Sequence, residues 1–333
     1  MLEDAVRALR GAGHQSQLIR HASPRGCGQS LNEGLRQASG DYLIFADSDL
    51  ILAPGWQQQL IDAAGTIASS TGAVAGMAAS VLLYPQSGAV QHAGIRFSRS
   101  EARHWKLNAS PAAFSNEHEE VQAAAFALFA MSRRVFDDVG FLDEEYLNGY
   151  EDFDYQFRAR RQGHRTILAT ASRSFHWEQR NGPHRAVNRK SNLARLWQLH
   201  GADVIDDLTQ AVADGVAAAV SAVGSNEIVD LAESRVLVRA VRSSLSSQVT
   251  SWHDLSHLVN DGEGLSLGLL PESLVPQDST VFLVENFVQA VDNHWFLRQR
   301  LERGNNDQFV DLFGNVVAAK DLQQFAYPGR RVR

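Results

Sequence analysis

The sequence predicts an α/β protein, and three features carry that prediction. Short apolar runs alternate with segments of helical periodicity. One run, Tyr42-Leu43-Ile44-Phe45-Ala46, follows the turn residue Gly40 and holds no charge. It stops abruptly at Asp47-Ser48-Asp49, with Pro54-Gly55-Trp56 as the next turn. A short, wholly apolar run reads as a strand buried on both faces, as in a parallel sheet covered by helices. Alternation along a strand sends Asp47 and Asp49 to the same side. Ligands of open α/β sheets collect at the carboxyl ends of the strands. Two carboxylates there repel each other unless a cation or a set of donors neutralises them. A hard divalent ion on oxygen ligands and nucleotide phosphates answers that need. Asp and Ser are also ordinary turn residues, so a plain turn is the alternative.

The chain has 333 residues, enough for two domains and a sizeable core. Its net charge of −7, with acids and bases mixed, argues against a general nucleic-acid binder. Cys27 is the only cysteine, which excludes a disulfide framework and a cysteine-based zinc site. No apolar stretch reaches the ~20 residues of a membrane span. The opening, MLEDAVRALRGAG, carries acids and lacks the apolar core of a signal peptide. The expectation is a cytoplasmic protein without a transmembrane segment.

In chain order, Leu2, Ala5, Val6 and Leu9 have helical spacing, and Gly11 or Gly13 can end that helix. Gln17-Leu18-Ile19-Arg20 reads as a short strand and Ser30 to Ala38 as a helix. Gln57 to Ala68 reads as a helix, Ala73 to Leu83 as a strand, and Ala89 to Phe97 as a strand or hairpin arm. The polar stretch from Ser98 to Glu120 reads as a loop near an acceptor, and Val121 to Met131, uncharged, as buried. Glu151 to about Gln162 reads as a helix with Gly163 beyond its end. Its first turn holds Glu151, Asp152 and Asp154. Acids there complement the helix dipole, but three in four residues exceed what capping needs. Phe153 and Phe157 share a face, and Asp154 can pair with Arg158 four residues on. Thr166 to Ala169 is the next strand and leads to Ser174-Phe175-His176-Trp177. Residues 178 to 190, with Arg180, His184, Arg185, Arg189 and Lys190, read either as a solvated loop or as a lid whose cations close over a diphosphate. Beyond, Ile205 to Val223 and Asn226 to Leu245 read as helices, and Val281 to Arg303 as a helix or a strand and a helix.

Several of these segments resemble family-2 glycosyltransferases with the GT-A fold, of the bacterial rhamnosyltransferase kind. Pro24, Arg25, Gly26, Asn32, Gly34, Gly40, Asp41 and Tyr42 match the approach to the family's DxD segment, here Asp47-Ser48-Asp49. Val-Gln-His-Ala-Gly from Val90 recurs in such transferases. Val139-Gly140-Phe141-Leu142-Asp143-Glu144 and GYEDFDYQFRARRQG match the approach to, and the body of, the family's ED helix. The QxxRW pattern of processive synthases is missing.

The resemblance implies a metal-dependent, inverting transfer of a sugar from a nucleotide-diphosphate donor to a saccharide or other hydroxyl acceptor. It implies Mn²⁺ or Mg²⁺ held by Asp47, Asp49 and His176, although a lone His is by itself more often structural. Asp152 is the implied general base, ionised by the helix-start dipole, and Glu151 orients the acceptor. Asp47, Arg25, Arg180 and Arg185 are the implied donor-binding residues. Two strands and a helix that precede this segment in those families are not found, so the expected GT-A fold is N-terminally incomplete. A second copy or a partner chain could cover the open strand edge. The expected division is a GT-A domain over residues 1–200 and a mainly helical region of unassigned role over 201–333. The rival expectations are a catalytically inactive binding or scaffold protein and a nucleotidyltransferase. The latter wants a glycine-rich basic loop, of which Arg25-Gly26-Cys27-Gly28 is a faint version.

Overall fold

The computed structural model describes residues 2–23, 25–114, 118–177, 183–245, 249, 251–258, 272–287 and 299–325. The chain opens with α1 (Leu2–Gly11), α2 (Cys27–Gln37), β1 (Tyr42–Ala46), β2 (Leu50–Ile51) and α3 (Trp56–Ala64). It continues through β3 (Gly76–Leu83), β4 (Val90–His92), β5 (Ile95–Phe97), β6 (Ala102–His104), β7 (Glu119–Val121) and β8 (Leu128–Ser132). Then come α4 (Arg133–Val139), α5 (Glu151–Arg161), β9 (Arg165–His176) and α6 (Pro183–His200). Gln17–Arg20, expected as a strand, forms no regular element.

The first sheet runs β1-β8-β3-β9-β2, with β4 joined to β3 and β7 to β9. Strand parity divides its side chains between two cores. Leu43, Phe45, Met77, Ala79, Phe129 and Met131 pack on the side of α2, α4 and α5, against Leu35, Val135 and Tyr155. Ala78, Ala130, Ile167 and Ala169 pack on the side of α3, against Leu60, Ala63 and Ala64. The result is helices on both faces of one sheet, the α/β architecture expected.

The expectation of a parallel setting for β1 is corrected. β1 pairs antiparallel with β8, and β8 antiparallel with β3; β3 and β9 are the parallel pair. β1 ends the strand path among the described residues. Tyr42 and Ile44 accordingly stay only partly buried while Leu43 and Phe45 are enclosed. An apolar run reports burial but not the direction of its neighbours.

The run Ala89 to Phe97 divides into β4 and β5 at Gly94, whose φ of +80° suits glycine. A Cβ there would press into Val121. The stretch 98–120, expected as an irregular loop, instead holds β6, a 3-10 turn at Pro111–Ala113 and β7. Trp105, Ala109 and Phe114 within it are buried. The stretch 178–190, expected as a loop, is helical from Pro183 onward. Proline is well suited to a first helical position, where its missing N–H costs nothing.

The region after α6 is also corrected. It was expected to be mainly helical, but α7 (Asp207–Val223), β10 (Glu227–Asp230), α8 (Arg235–Ser244), β11 (Ser251–Asp254), β12 (Val281–Val284), β13 (Gln308–Asp311) and β14 (Val316–Ala318) include a five-stranded sheet. Its order is β11-β10-β12-β13-β14, parallel except for β14. Asn226 to Leu245, expected as one helix, is β10 followed by α8. Four-residue apolar strands such as Val281-Phe282-Leu283-Val284, buried throughout, cannot be told from buried helix by periodicity. Ile228, Val281, Leu283 and Val310 meet α7 and α8, while Val229, Phe282 and Phe309 form the opposite core.

The β5–β6 hairpin (Ile95 opposite His104) fastens this second sheet to the first. Phe97 N donates to Asp207 at 2.8 Å, and Lys106 N donates to the Phe313 carbonyl at 3.0 Å. The Arg103 guanidinium donates to Glu285 at 2.6 Å.

Candidate active site

Backbone pairing places the acidic turn. Ala46 is opposite Leu128 at the end of β1, and Asp47 N donates to the Ala127 carbonyl at 2.8 Å. A turn through Ser48 then returns the chain as β2, with Leu50 opposite His176 and Ile51 opposite Phe175. Asp47 and Asp49 therefore meet through a turn, not by alternation along one strand.

β9 reaches them because its register shifts. It follows β3 from Gly76–Arg165 to Ser80–Ala169, then resumes at Val81–Arg173. Ser80 Oγ secures the irregularity on the Ser172 carbonyl at 2.8 Å. Such bulges bend a strand and re-aim its side chains. The redirected end sets His176 Nε2 3.2 Å from Asp49 Oδ1 and 3.7 Å from Asp47 Oδ2.

The donor atoms of Asp47, Asp49 and His176 all lie within 4.8 Å of one another. The Asp47 side chain is 55 % exposed and that of His176 only 11 %, so the group opens to one side. Gln91 Oε1 lies 2.8 Å from His176 Nδ1, which turns Nε2 toward the carboxylates. At 3.2 Å from Asp49 Oδ1, Nε2 either donates to the carboxylate or, without its hydrogen, shares a cation with it. Two carboxylates and an imidazole suit Mn²⁺ or Mg²⁺, with open positions for water or phosphate oxygens. The residues present therefore fit a divalent cation.

The second acidic cluster opens α5. Asn148, Gly149 and Tyr150 have φ of 58°, 134° and 74°. Two non-glycine residues in the left-handed region store strain that the surroundings must hold. Asn148 Oδ1 accepts from Cys27 N at 2.9 Å, and Glu151 Oε2 accepts from Gly149 N at 2.6 Å. Asn192 of α6 donates to the carbonyls of Leu147 and Gly149, at 3.2 and 2.9 Å.

Asp152 is pushed up to about 8, first by burial and then by the charge of Glu151, with hydrogen bonds from the backbone of Phe153 and Phe126 in partial opposition. Burial and a like charge thus outweigh the helix dipole, contrary to the expectation of a carboxylate kept ionised by its position. Asp154 does different work. Burial alone would raise it, but hydrogen bonds from His200 and Arg158, at 2.7 and 2.8 Å, hold it below its ordinary value. It ties α5 to α6.

Both clusters act on Cys27 through charge. Although the residue is exposed, desolvation of its thiol, then the charges of Glu151, Asp152 and Asp47, push it upward. Asp47 and the Glu151–Asp152 pair thus bear on one side chain. The structure does not bring Arg25 to this group; it is paired with Glu33 at 2.8 Å. Pro24 and Arg180 lie outside the described residues. Arg185 lies on α6, with its side chain outside them.

Sequence reasoning missed Gln91, His92, Asn148 and Asn192. His92 is buried and held below its ordinary value by burial, then by His104 and His176. Its Nε2 accepts from Ala125 N at 3.0 Å, next to Phe126 of the Asp152 environment. The Gln-His pair in the recurring Val-Gln-His-Ala-Gly run was the available signal. Nothing local marks Asn148 or Asn192.

Among the described residues, no helix is long and apolar enough to cross a membrane.

The profile described as Glycosyl transferase family 2 matches residues 2–140. The chain is 30% identical over 155 residues to the O-antigen biosynthesis protein RfbC of Myxococcus xanthus, covering 44% of this chain and 12% of that protein. It is also similar to a crystal structure of GalNAc-T7 with UDP, GalNAc and Mn²⁺, at 18% identity and a TM-score of 0.43. That likeness covers 59% of this chain and 38% of the other. The chain thus spans only part of the length of these relatives. The profile contains Asp47 and Asp49 but ends before α5 and β9, so Glu151, Asp152 and His176 stand on the geometry. Residues 2–140 thus match the family-2 glycosyltransferase profile, within an α/β fold.

Proposed function

We propose that this chain transfers a sugar from a nucleotide-diphosphate donor to an acceptor hydroxyl, with inversion at the anomeric carbon. The observation that carries the reading is the convergence of the donor atoms of Asp47, Asp49 and His176 within 4.8 Å of one another. That cluster has the chemistry of a divalent-cation site, and the one opening α5 holds a carboxylate whose proton affinity is raised.

Asp47, Asp49 and His176 would hold Mn²⁺ or Mg²⁺. The ion would supply positive charge against the diphosphate as it leaves. Asp152, in its ionised form, takes the proton of the acceptor hydroxyl. The hydroxyl oxygen bonds to the anomeric carbon as the bond from that carbon to the diphosphate oxygen breaks. Glu151, fixed by the Gly149 N–H, shapes the acceptor side. Arg180 and Arg185 remain proposed donor contacts, as does Asp47. The pairing of Arg25 with Glu33 speaks against Arg25 in that role and against the basic loop a nucleotidyltransferase wants.

The name of the Myxococcus relative supports a role in cell-surface glycan synthesis. Thermal shift with a panel of nucleotide-diphosphate sugars, with and without Mn²⁺, tests the reading. Ligand binding to the native state raises the transition by mass action. Stabilisation by a nucleotide sugar only with the cation present is expected. No response to any donor, with or without cation, would contradict the proposal.

A further inference from the structure

We propose that Gln91 fixes the tautomer and aim of His176 and so acts as the positioning residue of the cation site. The inference rests on the reading of Asp47, Asp49 and His176 as that site.

Gln91 is 5% exposed and spends both ends of its amide on one residue. Its Nε2 donates to the His176 carbonyl at 3.1 Å, and its Oε1 stands 2.8 Å from His176 Nδ1. A backbone carbonyl only accepts, so the amide nitrogen must face it. The amide oxygen is then left facing Nδ1, and an amide oxygen also only accepts. Nδ1 must therefore carry the hydrogen. Exchanging the two ends of the amide would set its oxygen against the His176 carbonyl oxygen and lose that bond.

With Nδ1 protonated, Nε2 is the nitrogen available to a cation, and it is the nitrogen beside Asp49 and Asp47. Rotation of the imidazole about its bond to Cβ would lose the Gln91 bond. The position of Gln91 is itself a product of the sheet. It sits in β4, which pairs with β3 through Leu82–His92 and Leu83–Val90. β3 in turn pairs with the shifted half of β9, where Leu83 meets Phe175. Gln91 thus holds His176 across β3 at the point where the bulge has re-aimed β9. Partners of this kind, one step out from the metal, typically change affinity 10–100-fold when removed.

The test is Mn²⁺ affinity by electron paramagnetic resonance for wild type, Gln91→Met and Gln91→Glu, with circular dichroism to confirm folding. Gln91→Met should bind Mn²⁺ roughly 10- to 100-fold more weakly. Gln91→Glu keeps an acceptor toward Nδ1 but sets its second oxygen against the His176 carbonyl, and should bind Mn²⁺ more weakly than wild type yet more tightly than Gln91→Met. Long-range ¹H–¹⁵N correlation spectra of the Mg²⁺-saturated wild type should show His176 with hydrogen on Nδ1 alone. A folded Gln91→Met with wild-type Mn²⁺ affinity would overturn the role of Gln91 and leave the cation site standing. Wild type that binds no Mn²⁺ would overturn the site and this inference together. Should Gln91→Met not fold, a hydrogen on Nε2 in the Mg²⁺-saturated spectrum would still overturn the proposal.

Discussion

His176 stands directly across from Leu50 in the β2–β9 ladder, and Trp177 N donates to the Asp49 carbonyl at 3.0 Å. The imidazole therefore meets the carboxylate of Asp49 because of backbone register, not a chance approach of two side chains. Registers are cooperative, so the pair is as rigid as the sheet edge that holds it. A site built on strands keeps its geometry better than one built on loops.

Asp152→Asn keeps the size and hydrogen-bonding capacity of the side chain but removes its basicity. General-base catalysis contributes about 10²–10⁴-fold in rate. Single-turnover transfer with saturating donor should fall by about that factor, with donor affinity little changed. Glu151→Gln should act more on acceptor binding than on the chemical step. Near-normal transfer by Asp152→Asn would leave Asp152 with a helix-capping role only.

The legibility of this site in the sequence was uneven for physical reasons. Asp47 and Asp49 were readable because charge interrupts an apolar run, whereas Asp152 and His176 were picked out only by the resemblance to a known family. Gln91 was not, since its effect depends on β4 lying across β3 from the end of β9. Neither was the antiparallel pairing of β1, because an apolar run says nothing about neighbouring direction. The second sheet escaped notice because strands of four residues, separated by long connections, leave no period to count. The helices α2, α3 and α5 were found to within a few residues, as amphipathic spacing and glycine stops allow.

The raised proton affinity of Asp152 has consequences for pH. Its native value, about 8, lies well above the ordinary carboxylate value. The native protein therefore holds this proton through a range where the unfolded chain has lost it. The associated stability is fully present at acid pH, below the unfolded value. It is lost as pH rises toward and through about 8. Asp152→Asn removes that loss. Its melting temperature should exceed that of wild type by an amount that grows from pH 5 to pH 9, reaching roughly a few degrees. Transfer by wild type should conversely fall as pH drops through about 8, because the protonated acid cannot accept a proton. A pH-independent difference in melting temperature would show that Asp152 is not held protonated.

Arg103 should matter to stability although it lies far along the chain from its partner. Its guanidinium bonds Glu285 and Glu101, and Glu285 also accepts from the backbone N–H groups of Glu233 and Ser234 at the start of α8. The Arg103 and Glu285 side chains are largely buried. Arg103→Met strands two carboxylates and should cost about 3–5 kcal/mol, read by denaturant unfolding. The double variant Arg103→Met, Glu285→Gln, which removes the stranded charge but keeps an acceptor for the Glu233 and Ser234 N–H groups, should recover part of that loss. Equal or greater loss in the double variant would mean that the hairpin and the second sheet are joined chiefly by other contacts.

The most direct test of the account is Mn²⁺ binding to the purified protein, followed by electron paramagnetic resonance, for wild type beside Asp49→Ala and His176→Ala. Wild type should bind one ion in this group, and each variant should lose that binding while keeping its circular dichroism spectrum. Undiminished Mn²⁺ binding in both variants would place any cation elsewhere and contradict the proposed catalytic arrangement.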